Sequence, residues 1–232
     1  MKPLIIIPVY NEKENLEHLI PSIFQELPTS HVLIIDDQSP DGSAEYIKQL
    51  QKKDSRIFLI ERPKKLGLGS AYITGFLWGL EYGYDYFFEM DGDGSHDPKA
   101  LPHFLSAMEQ SYDIILGSRY INGGKIENWN WFRRGMSWGG NLYARTLLSL
   151  PYHDLTGGFK CFRENVLRQL PLNKIRSDGY CFQIELTYLA HKQGCKILEV
   201  PIVFTERRSG KSKFSQKIVF EAVIKVPLLR GT

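Results

Sequence analysis

Tyr86-Phe87-Phe88-Glu89-Met90-Asp91-Gly92-Asp93-Gly94-Ser95-His96 carries an apolar, β-rich run straight into two aspartates one residue apart. The aromatic segment predicts a strand, and the glycines behind it predict a turn. A strand that delivers two carboxylates into such a turn suits a hard divalent cation. Cations of that kind, held by one or two carboxylates, complete their coordination with phosphate oxygens and water. The alternative is a turn whose aspartates cap a helix ahead of Asp97-Pro98.

Working outward, the same strand-then-polar pattern recurs. Leu4–Ile7, Val32–Ile35, Ile57–Ile60, Tyr86–Met90 and Ile114–Leu116 are short continuous apolar runs. Between them stand helical periodicities: Leu16, Leu19, Ile20, Ile23, Phe24 and Leu27; a segment from Asp41-Gly42-Ser43 towards Leu50; one from about Ser70 to Tyr82; and one carrying Leu101, Phe104, Leu105 and Met108. Asn11 with Glu14 resembles a capping box, and Pro21 interrupts the first helix. Alternation of this kind predicts an α/β fold, a mainly parallel sheet with helices on both faces. Ligands of such sheets bind beyond the carboxyl ends of the strands. Tyr10-Asn11-Glu12, Asp36-Asp37 and Asp91 with Asp93 all stand at those ends. Carboxylates so gathered repel one another unless a cation or ligand offsets them, which favours the metal over the capping turn.

The second half is less regular. Helices are expected over about Arg134–Leu148 and Phe182–Lys192, and a strand over Ile197–Phe204 around Pro201. The tail Phe214–Leu229 is expected to form a helix closing the core, with a position on a membrane surface as the alternative. The 232 residues suffice for one well-buried core. A net charge of +3 is too small to argue for nucleic acid. Cys161, Cys181 and Cys195 form no C-x-x-C unit and read as reduced thiols. No run approaches the ~20 apolar residues of a spanning helix, so work on a lipid would proceed from the membrane surface.

Several short motifs fail on context. Gly67-Leu68-Gly69-Ser70-Ala71-Tyr72 has tyrosine where a dinucleotide fingerprint needs its third glycine. Gly210-Lys211-Ser212 lacks the leading glycine of a P-loop, and His96 and Pro102 break an EF-hand starting at Asp91. Gly135-Met136-Ser137-Trp138-Gly139 matches a nucleophile elbow, but Asn130–Arg134 is too polar for the buried strand that must precede one. Arg119, directly after a strand, suits a phosphate through its planar fork, and Arg133, Arg134 and Ser137 add donors nearby in sequence. The paired glycines of Asp154-Leu155-Thr156-Gly157-Gly158 permit close approach of a ligand.

Taken together, these segments resemble the family 2 inverting glycosyltransferases of the GT-A fold, and within them the polyprenyl (dolichyl) phosphate mannosyltransferases. The resemblance runs through IIIPVYNEKENL at 5–16, IIDDQSPDGS at 34–43, GLGSAYITGF at 67–76, MDGDGSHDP at 90–98, LGSRYI at 116–121, LTGGFKCF at 155–162, GYCFQIEL at 179–186 and PIVFTERRSGKSKF at 201–214. It implies a single GT-A domain over 1–232, with a nucleotide-sugar half to about 120 and an acceptor half beyond. Pro8, Tyr10, Glu12 and Asp37 would contact the guanosine of GDP-mannose, and Asp91 and Asp93 would hold Mg²⁺ or Mn²⁺ against the diphosphate. Arg119, Arg133 and Ser137 would hold the phosphate of a dolichyl or polyprenyl acceptor, while Arg207 and Lys213 would close over the donor phosphates. Like the short family members, the chain would attach peripherally, or through a membrane-anchoring partner subunit, on the cytoplasmic side of the endoplasmic reticulum or a bacterial inner membrane. Ser95 departs from relatives that often carry a glutamine able to join the metal. Another donor such as UDP-glucose, or a non-catalytic nucleotide-sugar-binding subunit, remain the alternatives.

Overall fold

Each central strand splits its side chains between two cores. The computed structural model describes residues 1–175, 177–206 and 224–231. In β1 (Pro3–Val9), Leu4 and Ile6 face one core while Ile5, Ile7 and Val9 face the other. β2 (His31–Asp36) divides in the same way, Leu33 and Ile35 against Val32 and Ile34. Period-two alternation makes every residue of such a strand apolar when both faces are covered. Burying one of these branched side chains fully is worth roughly 1.5–3 kcal/mol.

The covering helices follow from that division. On one face lie α1 (Lys13–Glu26), α2 (Ser43–Gln51) and α4 (Leu101–Glu109), which supply Leu16, Ile20, Ile47, Leu101 and Phe104. On the other lie α3 (Leu68–Glu81), α6 (Glu164–Gln169) and α7 (Gly179–Lys192), with the inner side of α5 (Trp131–Leu148). α1 runs through Pro21 because the ring is on its exposed side, while Leu19, Ile20 and Ile23 keep the helix anchored. The expected capping box does not form. Glu12, not Asn11, precedes α1, and Asn11 adopts φ 60° with its N–H donating to Ser39 Oγ at 3.0 Å.

β3 (Ile57–Glu61), β4 (Tyr86–Glu89), β5 (Ile114–Ser118), β7 (Lys160–Arg163) and β8 (Ile197–Pro201) complete a seven-stranded sheet in the order β3-β2-β1-β4-β7-β5-β8. All pairings are parallel except those of β7, which lies antiparallel between β4 and β5. The chain builds outward from β1 to β3, then returns to the other side of β1 with β4. That reversal opens a crevice at the carboxyl ends of β1 and β4, where ligands of open α/β sheets bind.

Three corrections concern the second half. The expected strand Ile197–Phe204 divides at Ile202 into β8 and β9 (Val203–Thr205), because β9 leaves the main sheet to pair with β6 (Lys125–Glu127). β7 escaped prediction, since its lysine and arginine disguise a four-residue strand between hydrophobic neighbours. α5 and α7 each begin three residues earlier than expected. Most of the tail expected as a helix, along with Arg207 and Lys213, lies outside the described residues. A short helix at 224–228 buries Val226 and exposes Ile224 and Leu228. Among the described residues no helix is long and apolar enough to cross a membrane.

Close packing of α3 on the sheet depends on glycine. A Cβ on Gly79 would stand 2.5 Å from Phe87 and 2.7 Å from Leu4. In Gly79→Ala the intrinsic helix gain of up to about 1 kcal/mol opposes an overpacking cost of about 1–3 kcal/mol. We expect a lower denaturant midpoint, measured by circular dichroism; a more stable variant would contradict this packing.

Candidate active site

A cleft of about 380 Å³ opens at the crevice between β1 and β4. Of the residues singled out in the sequence, Pro8, Tyr10, Glu12, Asp37, Asp91, Asp93, Arg119 and Arg133 all line it. Ser137 does not; it lies one helical turn after Arg133 on α5, and its carbonyl accepts from Asn141 Nδ2 at 3.0 Å. The strand order sets out the lining along the sheet edge: Asp37 after β2, Tyr10 after β1, Asp91 after β4 and Arg119 after β5.

The aspartate pair is held from several sides. Tyr72 on α3 donates its hydroxyl to Asp91 Oδ1 at 3.2 Å, and burial followed by the charge of Asp91 keeps that phenol protonated. The Asp91 N–H donates to His96 Nδ1 at 3.1 Å, which leaves the ring proton on Nε2, 3.9 Å from Asp91 Oδ2. Burial lowers the His96 pKa in spite of the raising effect of Asp91 and Asp93, so the ring stays neutral. Asp93 Oδ1 accepts from the Ser95 N–H at 3.1 Å. Ser95 Oγ is buried and makes no hydrogen bond among the described residues. The turn is tied in turn to β9, whose Thr205 N–H donates to the Ser95 carbonyl at 3.2 Å.

Beneath the pair, Glu89 sits opposite Lys160 across the β4–β7 ladder, both fully buried. Burial pushes the Glu89 carboxyl up and the Lys160 ammonium down. Lys160 Nζ donates to the Gln183 carbonyl at 2.7 Å and to Thr187 Oγ1 at 2.9 Å, fastening α7 to the floor of the cleft.

On the β2 side, sequence inspection missed Arg62. Its Nε donates to Asp37 Oδ1, its Nη1 to Ser70 Oγ at 2.7 Å and its Nη2 to the Gly67 carbonyl at 3.0 Å. Arg62 follows β3 directly, so the same strand-end logic that found Asp37 applies to it. Lys65 was missed too; its ammonium stands 4.3 Å from the centre of the Tyr10 ring. Asp178 gave no linear signal. It precedes α7, yet its Oδ1 accepts from the Gly69 N–H at 2.7 Å, joining the starts of α3 and α7 beside the cleft.

On the β5 side, Arg119 forms a two-pronged pair with buried Asp154, Nε to Oδ2 and Nη2 to Oδ1 each at 2.7 Å. Burial alone would raise the Asp154 pKa, but Arg119 outweighs it and holds the carboxyl below its ordinary value. Most of the Arg119 fork is therefore committed within the protein, and Nη2 also reaches Thr156 Oγ1 at 3.0 Å. Asn141 on α5 fixes the same loop, its Oδ1 accepting from Leu155 N–H at 2.7 Å and Thr156 N–H at 3.1 Å. The loop then brings Gly158 against the aspartates: a Cβ there would stand 3.7 Å from both Asp91 carboxylate oxygens. Arg133 stacks 4.0 Å from the Trp129 ring and pairs with Glu206 at 2.6 Å.

Comparison with known proteins bears on this site. Residues 4–170 match the model of glycosyl transferase family 2. The chain is 44% identical over 226 residues to the polyprenol monophosphomannose synthase of Mycolicibacterium smegmatis, covering 97% of this chain and 85% of that protein. It is 45% identical over 226 residues to the undecaprenyl-phosphate mannosyltransferase of Micrococcus luteus, covering 97% and 93%. Among solved structures, glucosyl-3-phosphoglycerate synthase from Mycobacterium tuberculosis with phosphoglyceric acid superposes with a TM-score of 0.71 at 15% identity, covering 99% of this chain and 80% of that one. The same enzyme with Mn²⁺, UDP-glucose and phosphoglyceric acid gives 0.69 at 16% identity, with the same coverage. At that identity the likeness establishes the GT-A fold and nothing finer.

The buried pair sets a stability test. Arg119→Met strands Asp154 and is expected to cost about 3–5 kcal/mol, whereas Arg119→Met with Asp154→Leu recovers most of it. Denaturant unfolding of both variants checks this. Because the folded Asp154 pKa lies below its unfolded value, the pair's contribution is present at neutral pH and lost as pH falls through the depressed pKa.

Proposed function

The chain belongs to glycosyl transferase family 2, and from that membership we propose that it transfers mannose from GDP-mannose to the phosphate of a polyprenyl or dolichyl lipid at the cytoplasmic face of a membrane. The observation that carries this proposal is the order of groups along one sheet edge. Asp37, Tyr10 and Asp91 follow adjacent strands, and Arg119 stands two strands beyond Asp91. Strands lie about 4.8 Å apart, so the aspartates and Arg119 are separated by roughly 10 Å of cleft. That spacing suits a nucleoside towards β2, its diphosphate at β4, and a second phosphate near β5 and α5. The names of the two curated relatives, a polyprenol monophosphomannose synthase and an undecaprenyl-phosphate mannosyltransferase, support mannose and a lipid phosphate.

Asp91 and Asp93 fit Mg²⁺ or Mn²⁺ as the two-carboxylate, diphosphate-sharing kind of site. Among the described residues no group of three or more His, Cys, Asp or Glu side chains is arranged for a metal, so the remaining ligands would be diphosphate oxygens and water. Such an ion would offset the charge gathering on the diphosphate. The protein's own part is positioning. Tyr72 and the His96-bound turn hold the aspartates, Arg62 holds Asp37 for the nucleoside, and Arg119 and Arg133 draw the acceptor phosphate into the cleft.

An acceptor phosphate is already anionic near neutral pH, its second pKa being about 6. No general base is required, in keeping with His96, whose Nδ1 lone pair already accepts from the Asp91 N–H. Attack of a phosphate oxygen on the anomeric carbon, in line with the departing GDP, makes one bond as the other breaks. The sugar is inverted, so an α-linked donor yields a β-linked lipid phosphate.

Purified protein with labelled GDP-mannose, polyprenyl phosphate and Mn²⁺ should give an organic-extractable, acid-labile mannolipid. Asp93→Ala should lower kcat on the order of 10²–10³-fold. Failure of the folded wild type to make lipid-linked product would overturn the acceptor, and preferential use of UDP-glucose would overturn the donor.

A further inference from the structure

The last strand of the sheet carries an acid among apolar neighbours. β8 ends the strand order, and its alternation sends Leu198 and Val200 to one core and Ile197 with Glu199 to the opposite face. A charge on an edge strand commonly discourages pairing with another chain, and for that it need only meet water. The Glu199 side chain instead is only 10% exposed, and both of its oxygens are engaged. Oε1 accepts from the Asp154 N–H and Oε2 from the His153 N–H, each at 2.9 Å. The half-exposed His153 ring adds Nδ1 at 2.9 Å from Oε2.

The backbone gripped in this way belongs to the residue that holds Arg119. Asp154 is fully buried, and beyond the two-pronged contact its Oδ2 also accepts from the Arg119 N–H at 3.0 Å. The loop thus has two anchors. Glu199 takes the amides of His153 and Asp154, and Asn141 takes those of Leu155 and Thr156. Two consecutive N–H groups call for two acceptor atoms on one side chain, which a carboxylate supplies. A glutamine of the same length would set an NH₂ group against one of them.

We propose that Glu199 is a positioning residue for the acceptor phosphate: by fixing the backbone of His153 and Asp154, it sets how Asp154 presents the Arg119 fork to the cleft. Glu199 acts through Asp154 and touches no reacting atom. The proposal rests on the reading of Arg119 as a ligand of that phosphate. Small displacements matter in such an arrangement, since a misplacement of about 1 Å can cost on the order of 10²-fold in rate.

Steady-state kinetics of Glu199→Gln test it, with KM resolved for each substrate. The KM for polyprenyl phosphate should rise about tenfold, while the KM for GDP-mannose and the affinity for GDP stay within about twofold of wild type. The Arg119 Nε–H resonance, followed by NMR, should shift or broaden in the same variant without any substrate present. His153→Ala removes the ring but neither backbone N–H, and should keep the wild-type acceptor KM. Should Glu199→Gln not fold, Glu199→Asp, too short to span both N–H groups, takes its place with the same expectations. An unchanged acceptor KM, an equal rise in both KM values, an undisturbed Arg119 resonance, or a His153→Ala variant as impaired as Glu199→Gln would overturn the proposal. Arg119→Lys separates it from the reading beneath it. If the wild type does not turn over, or Arg119→Lys leaves the acceptor KM unchanged, the phosphate assignment falls and this proposal with it. If Arg119→Lys raises that KM and Glu199→Gln does not, the positioning role alone falls.

Discussion

Carboxylates gathered at one edge of a buried sheet repel one another, and the architecture of this protein is organised around meeting that repulsion. Parallel strands must stop somewhere, and the polar residues after β1, β2 and β4 converge where the strand order reverses. Arg62 meets Asp37, Tyr72 meets Asp91, and backbone N–H groups meet Asp36 and Asp93. Further along, Arg119 and Asp154 neutralise each other in a two-pronged pair. What these partners leave is a cleft that still concentrates negative charge at Asp91 and Asp93, beside cationic groups from β5 and α5.

These polar contacts also assemble the cleft from distant parts of the chain. Arg62 binds the turn after β2 to the start of α3, and Asp178 binds that start to α7. Asn141 fastens α5 to the loop that carries Gly157 and Gly158, and Lys160 fastens α7 to the strand beneath. A buried hydrogen-bonded charge is costly to leave unpaired, so each contact resists displacement of the wall it holds. Preorganisation of this kind suits the proposed in-line displacement, in which the protein need not supply a base. α5 joins the two themes, since its polar side takes part in this network and its apolar side is turned away from it.

Much of the site was legible in the sequence because strand ends are. Mostly apolar runs of three to five residues with Asp, Glu, Tyr or Arg close behind identify both the parallel sheet and the residues at its mouth, with no knowledge of strand order. Arg62 was open to the same logic and was passed over. β7 was not legible: Lys160 and Arg163 are a poor advertisement for a buried strand, and Lys160 is accommodated there by hydrogen bonds from its Nζ to the Gln183 carbonyl and Thr187 Oγ1, groups on a helix distant in sequence. Asn11 with Glu14 imitated a capping box, but the turn after β1 needed Asn11 in the left-handed region to reach Ser39.

By itself, then, the sequence determined the α/β class, the strand-end carboxylates and the family, since these depend on local periodicity and on short motifs that survive without partners. Tertiary structure alone decided which charges stay available and which are spent. Arg119 looks like a free phosphate ligand in the chain and is half committed to Asp154, 35 residues away. It also decided which way α5 faces. Helical periodicity defines two sides of a helix but not which one the rest of the protein covers, and here packing covered the side with Asn141 and left Trp131 and Trp138 outside.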